Sequence, residues 1–219
     1  MSADIAAAVQ RLNSQLPLKA RQQDLPAPLA RLHREVLRRL VEEGRAPSRA
    51  EAAEMLAGGD VDAALQRLGN DDLVVLNEAG TEIVGAYPMT LEATPHHLTV
   101  NGHPVNAMCA LDALSVGPMY GADVEIDSRC HVSGDPIHVH QEDCGLLEVR
   151  PSTEVRVGVR WQNPTACAAH SMCMEMVFLK DERTAWEWQG GDTEHISIFT
   201  LDEAVEFGAR FFRPLVSGN

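Results

Sequence analysis

The feature that most constrains this chain is a change of hydrophobic period near residue 81. Before it, apolar residues recur at helical spacing. After it they fall into short β-rich pieces separated by Gly, Pro and Asp. Residues 1–25 read as a leading helix, punctuated by Pro26 and Pro28. From Leu29, the positions Leu32, Val36, Leu37, Leu40 and Val41 continue one apolar stripe, and Gly44 ends it. Ser48 and Glu51 have the spacing of a capping box, in which two side chains satisfy free amides at a helix start. The helix they open ends near Gly58 and Gly59. Asp60 caps a third helix through Leu68, with Val61, Ala64, Leu65 and Leu68 on its buried face. Leu73–Leu76 and Glu82–Ala86, joined by a turn at Asn77–Gly80, read as a β-hairpin.

In the second half, strands are expected at 98–100, 124–126, 137–140, 154–159, 171–179 and 195–199. Helices are expected around 107–116 and from Asp202 to Phe212. Strands and helices without a regular βαβ alternation indicate an α+β fold rather than a doubly wound sheet. Three helices followed by a hairpin is the order of a winged helix-turn-helix. Residues 1–90 are therefore expected to form a small winged-helix-like domain, and residues 91–219 a mixed sheet-and-helix domain.

A winged helix raises the question of DNA, which its third helix would meet in the major groove. Here that helix carries Asp60 and Asp62 against one Arg67, and Asp71 and Asp72 follow it. Residues 1–80 hold 10 Lys/Arg and 12 Asp/Glu, a net of −2; the rest hold 8 and 20, a net of −12, giving −14 for the chain. Such a surface repels phosphate backbones, so no nucleic-acid partner is expected and the helical part is read as a scaffold or lid. No apolar stretch approaches the roughly 20 residues that span a bilayer. The N-terminus lacks a basic start and an uninterrupted apolar run, so no membrane association and a cytoplasmic location are expected.

The five cysteines, Cys109, Cys130, Cys144, Cys167 and Cys173, all lie in the second half and are expected to be reduced thiols. Cys109-Ala-Leu-Asp112 is the most informative tetrapeptide, because positions i and i+3 of a helix share a face. A helix N-terminus beneath Cys109 would favour its thiolate. Strand alternation over 171–179 would put Cys173, Glu175 and Val177 on one face and Met172, Met174 and Met176 on the other, as core filler. Two thiolates suit a soft cation such as Hg(II) better than an oxygen-seeking metal. A carboxyl group beside them could protonate a carbon leaving that metal.

These residues bring a family into view. Met108–Leu114 resembles the catalytic helix motif of the organomercurial (alkylmercury) lyases, which centres on Cys-Ala-Leu-Asp. Ser128–Ile137 is similar to that family's structural-cysteine turn, and Met172–Trp188 to the region of its second catalytic cysteine. Ile83–Thr90 resembles the strand leaving its N-terminal domain. The likeness runs in order from about residue 30 to residue 212. It implies that Cys109 and Cys173 bind mercury, that Asp112 handles the proton, and that Cys130 is structural, with residues 91–219 as the catalytic domain. It further implies protonolysis of R–Hg–X to R–H and Hg(II), and no organic cofactor. External cellular thiols, or a mercuric reductase, would take the product. Met108 stands where many members carry an aromatic residue, and Met174 where some carry a cysteine. Both departures bear on substrate preference rather than on the three catalytic positions.

Other readings remain open at this level. A bis-thiolate site behind a winged-helix-like front could sense mercury or copper without turnover, although such a site needs no carboxylic acid. The same scaffold could cleave a different carbon–metal bond. Cys130, His131, His138, His140 and Cys144 could suggest zinc, but the usual Cys-x-x-Cys or His-x3–5-His elements are missing. Hydrogen-bonded or surface histidines are preferred. Trp186 and Trp188 read as packing residues, and Cys144 and Cys167 have no assigned role.

Overall fold

A computed structural model describes residues 4–217. The leading helical segment is two helices, α1 (Ile5–Gln15) and α2 (Leu18–Gln23), with residues 1–3 outside the described part. The amphipathic stripe forms α3 (Ala27–Glu43), and Gly44 closes it in the left-handed conformation that glycine adopts without strain. The Ser48–Glu51 capping box is present at the start of α4 (Arg49–Met55), which stops three residues short of the glycines. Asp60 accepts from the Ala63 amide to open α5 (Val61–Asn70). The hairpin follows as β1 (Val75–Leu76) and β2 (Ile83–Ala86).

The rest of the chain is mixed, as an α+β fold requires. In order come β3 (Met89–Thr90), β4 (His97–Val100), β5 (His103–Ala107), α6 (Ala110–Tyr120), β6 (Asp123–Arg129) and β7 (Pro136–Glu142). Then follow β8 (Gly145–Arg150), β9 (Arg156–Arg160), β10 (Met176–Leu179), α7 (Glu182–Gln189), β11 (Ile196–Thr200) and α8 (Leu201–Phe212). Strands β1 to β8 form one antiparallel sheet in the order β1-β2-β3-β5-β4-β6-β7-β8. A second antiparallel sheet has β9 at its centre between β10 and β11. Among the described residues, no helix is long and apolar enough to cross a membrane.

Helix α6 touches strands of both sheets and packs along α8. Every residue from Ala110 to Met119 is buried, the polar Asp112 and Ser115 included, so the helix runs through the core rather than along its surface. Its position departs from the expected 107–116. Ala107 belongs to β5, where it pairs with Met89, so the helix starts only after Cys109. It also runs past Pro118, a residue that lacks the N–H due to the Leu114 carbonyl. The Gln141 side-chain amide of β7 donates to that carbonyl at 3.1 Å, which lets the helix continue to Tyr120.

The strand expected over 171–179 is corrected in its first half. Residues Ala168–His170 and Met172–Glu175 are two short 3₁₀ turns, and only Met176–Leu179 is strand. Local bonds explain the departure. The Ser171 amide donates to the Ala168 carbonyl, the Met174 amide to the Ser171 carbonyl, and the Ser171 hydroxyl to the Cys167 carbonyl. The Ala168 amide further donates to the buried Asp72 carboxylate at 3.1 Å, tying this loop to the helical half of the chain. Helix α7, capped by Asp181 and Thr184, and strand β8 carried no sequence expectation.

Candidate functional site

Cys109 occupies the N-cap of α6. Its Sγ accepts the Asp112 amide at 3.3 Å, the place usually taken by a serine or aspartate oxygen. Asp112, three residues on, projects from the same first turn. Cys173 arrives from the 3₁₀ turn that precedes β10. The Sγ atoms of Cys109 and Cys173 and a carboxylate oxygen of Asp112 all lie within 4.8 Å of one another. No other His/Cys/Asp/Glu cluster among the described residues meets the geometry of a metal site. All three predicted site residues therefore converge.

The three are 1%, 2% and 3% exposed for Cys109, Asp112 and Cys173, so water screens none of their charges. Burial raises the Asp112 carboxyl from its ordinary value to about 7, with hydrogen bonds to both thiols pulling partly the other way. One Asp112 oxygen, Oδ2, has no hydrogen-bond partner. Burial also holds the Cys109 thiol well above its usual range, reinforced by Cys173 and by the Asp112 charge. This corrects the expectation that the helix N-terminus would favour a resting thiolate. The Asp112 amide does lower the value, but removal from water outweighs it. For Cys173 the hydrogen bond from Cys109 lowers the value, and burial with the Asp112 charge raises it further than that.

A cavity of about 390 Å³ leads to this cluster, with Cys173 in its wall. Met108, Met174, Met176, His96, Cys130 and Phe178 also line it. The two departures seen in the sequence, Met108 and Met174, thus both face this space. Met174 is 63% exposed, whereas Met172 and Met176 are buried, so the expected single methionine face does not exist. His96, whose Nδ1 lies 2.9 Å from the Ser128 hydroxyl, is lowered by burial to about 4.

The structure also places the residues outside the cluster. Cys130 is buried and accepts the Lys180 amide at 3.4 Å; its own amide donates to the Asp135 carbonyl, fixing the turn into β7. His138 and His140 face Asp127 and Asp123 at 2.9 and 3.1 Å, hydrogen-bonded histidines rather than metal ligands. Cys144 is exposed beside Arg213, and Cys167 is half-buried with its sulfur 4.0 Å from the Tyr87 hydroxyl. Trp188 packs on Gly158 and under Arg160, while Trp186 is exposed and borders a separate cleft of about 920 Å³ that no cysteine lines.

Sequence reasoning missed one neighbour. The Met176 thioether lies 3.8 Å from Cys109 Sγ. Strand alternation had assigned it to the face opposite Cys173. The 3₁₀ turn breaks that alternation between Cys173 and Met176, and no periodicity in the sequence signals the break.

Comparison with known proteins agrees with the geometry. The model of the alkylmercury lyase family matches residues 89–213. The alkylmercury lyase of Staphylococcus epidermidis (strain ATCC 12228 / FDA PCI 1200) is 32% identical over 177 residues, covering 81% of this chain and 79% of that one. The alkylmercury lyase of Bacillus cereus is 33% identical over 139 residues, covering 62% and 60%. The match to this relative and to that of Clostridium butyricum thus spans about 60% of their length. The crystal structure of the mercury-bound form of MerB2 shares the fold, with a TM-score of 0.75 at 23% identity, over 90% of this chain and 98% of that one. With the family's matched region holding Cys109, Asp112 and Cys173 alike, this chain belongs to the alkylmercury lyase family.

Proposed function

We propose that this protein cleaves the carbon–mercury bond of organomercurials by protonolysis, with Cys109 and Cys173 holding mercury and Asp112 moving the proton. The observation that carries this reading is the buried triad itself. Two thiols and one carboxyl group with a raised pKa and an unpartnered oxygen lie within 4.8 Å of one another.

Because Cys173 borders the cavity and Cys109 does not, the Cys173 sulfur meets R–Hg–X first. It displaces X, which leaves with the thiol proton as HX. The Asp112 carboxylate then takes the proton of the Cys109 thiol, and the resulting thiolate joins mercury. Metal–thiolate bonds of about 2.3 Å, the zinc value, placed end to end reach about 4.6 Å, so one ion can span sulfurs this far apart. Electron density pushed onto mercury by two sulfurs accumulates at the carbon. Asp112 returns its proton there, releasing R–H and leaving Hg(II) on the two thiolates. A carboxyl group titrating near neutrality is suited to both halves of that transfer. The elevated thiol pKa values mean that mercury itself, not the resting site, draws out the thiolates.

Residues 91–219 supply this chemistry, and residues 1–90 act as scaffold, a division of roles rather than of sheets. No organic cofactor enters the reaction. Cellular thiols remove the bound Hg(II), directly or by handoff to a mercuric reductase, in a reducing cytoplasmic setting. The test is hydrocarbon detection: purified protein with methyl- or phenylmercury and excess thiol should release methane or benzene. Release no greater than that of a Cys109→Ala control would end the enzymatic reading.

A further inference from the structure

We infer that Met176 supplies a third, uncharged sulfur donor to the mercury held between Cys109 and Cys173. The inference deepens the proposed function and rests on its assignment of those two thiols. Met176 is the first residue of β10, and alternation along that strand turns Met176 and Phe178 toward the main core. Val177 and Leu179 turn the other way, toward Ala185 and Trp188. Its side chain is 2% exposed, its Sδ lies 3.8 Å from Cys109 Sγ, and it borders the same cavity as Cys173. A thioether is a soft ligand of the kind that appears as the long, weak axial donor of trigonal copper sites. It carries no proton, so it can contact an arriving cation before either thiol has been deprotonated.

The donor has a defined part in the reaction. Mercury bonded to one thiolate and one carbon is held in place by the thioether while the second thiol loses its proton to Asp112. Once both thiolates are bound, the third sulfur adds electron density to mercury and so to the departing carbon. A leucine of similar volume would fill the same space without donating. A merely structural methionine and a liganding one are therefore separable.

The experiment uses the full chain with its methionines replaced by selenomethionine, loaded with one equivalent of Hg(II). Mercury-edge X-ray absorption then distinguishes cysteine sulfur from methionine selenium. The expected result is two short Hg–S distances and one longer Hg–Se distance, the selenium signal being absent from Met176→Leu. In unlabelled protein, kcat for phenylmercury should fall about 3- to 10-fold in Met176→Leu with KM little changed. Absence of a selenium neighbour in the wild type, or its persistence in Met176→Leu, would overturn the inference. Should Met176→Leu fail to fold, leucine substitutions at Met108 and Met174, the other methionines lining the cavity, decide instead. A selenium signal that survives in both variants supports Met176 as its source, and one that disappears in either assigns it elsewhere. With Cys144 and Cys167 replaced by serine in the starting protein, short Hg–S distances that persist unchanged after Cys109→Ser and Cys173→Ser would instead overturn the site assignment itself, and this inference with it.

Discussion

The Asp112 amide donates to Cys109 Sγ at 3.3 Å while an oxygen of the Asp112 carboxyl has no partner. One residue thus does two things. Its backbone fixes the sulfur at the start of α6, and its side chain faces the same sulfur cluster with one oxygen left unpaired. An N-cap side-chain oxygen ordinarily accepts from a free backbone N–H and contributes about 1 kcal/mol. Here the cap position is given to a thiol, which in the proposed reaction binds mercury where an oxygen would bind it poorly, and the unpaired carboxyl oxygen is the one that would exchange the proton.

Asp112→Asn should preserve the amide contact to Cys109 and remove the proton carrier. Hydrocarbon release is expected to fall at least about 100-fold, the usual scale for loss of a general acid–base group, while stoichiometric Hg(II) binding survives. In the unsubstituted protein, kcat/KM should rise with pH through about 7, because the carboxylate form of Asp112 must be present to accept the thiol proton. A flat profile between pH 6 and 8, or full activity in the Asn variant, would remove Asp112 from the mechanism.

The two thiols should be unequal. Cys173→Ser removes the sulfur that borders the cavity, so it should lower the rate of organomercurial capture as well as turnover. Cys109→Ser leaves that sulfur in place, so it should allow stoichiometric capture of R–Hg⁺ without hydrocarbon release. Single-turnover mixing with mass spectrometry of the intact chain reads both. A covalent R–Hg adduct on the Cys173→Ser variant but none on Cys109→Ser would reverse the proposed order of attack.

The same burial makes stability depend on pH. His33 and His96 are both lowered to about 4 by removal from water, so the unfolded chain binds close to two protons more than the folded one near pH 5, falling to about one at pH 6.5. Their contribution is present above the unfolded value of about 6.5 and is lost as pH falls through 4. Asp112 acts oppositely. Its folded value of about 7 means that the folded chain holds a proton the unfolded one has released, so its contribution is full below about 3.9 and is lost as pH rises through 7. The net is a little under one proton near pH 5 and shrinks toward pH 6.5, so unfolding free energy should rise with pH by about 1 kcal/mol per pH unit near pH 5 and by less above it. Asp112→Asn removes the opposing group, so its slope should be about twice as steep. Urea unfolding at pH 5, 5.5, 6 and 6.5 checks it; equal slopes in the two proteins would contradict the buried, protonated carboxyl.

How much of this was legible in the sequence differs between elements for physical reasons. Helix α3 and the Ser48 and Asp60 caps are local devices, in which the residues that set the structure sit within a few positions of one another, and they form as read. Cys109 and Asp112 are suggested by their spacing and singled out by the family motif, and the structure sets Cys109 at the N-cap rather than within the helix. Cys173 was found through family resemblance, and its actual backbone was not foreseen. Ser171 commits its amide, carbonyl and hydroxyl to turn hydrogen bonds that outcompete a strand, and the loop is anchored by Asp72 almost a hundred residues away. The closeness of Met176 to Cys109 depends on that turn, so it too was hidden. Burial raising the thiols is likewise tertiary, because it arises from two sheets and α8 closing around α6.

The continuation of α6 past Pro118 rests on a single distant side chain. Proline has no N–H to give the Leu114 carbonyl, and Gln141 Nε2 replaces it at 3.1 Å while also donating to the Asp143 carbonyl at 2.8 Å. Gln141 is fully buried, so water cannot stand in for it. Gln141→Leu keeps the approximate volume and removes both donors, leaving a buried carbonyl unsatisfied at a cost of about 1–3 kcal/mol. The destabilisation should be recovered in part by a second change, Pro118→Ala, which restores an amide to the Leu114 carbonyl within the helix. Because Cys109 and Asp112 sit at the opposite end of α6, mercury stoichiometry should be unchanged in both variants under conditions where they are folded. Thermal unfolding of the single and double variants measures the coupling; strictly additive effects would mean that Gln141 does not serve as the missing donor for Pro118.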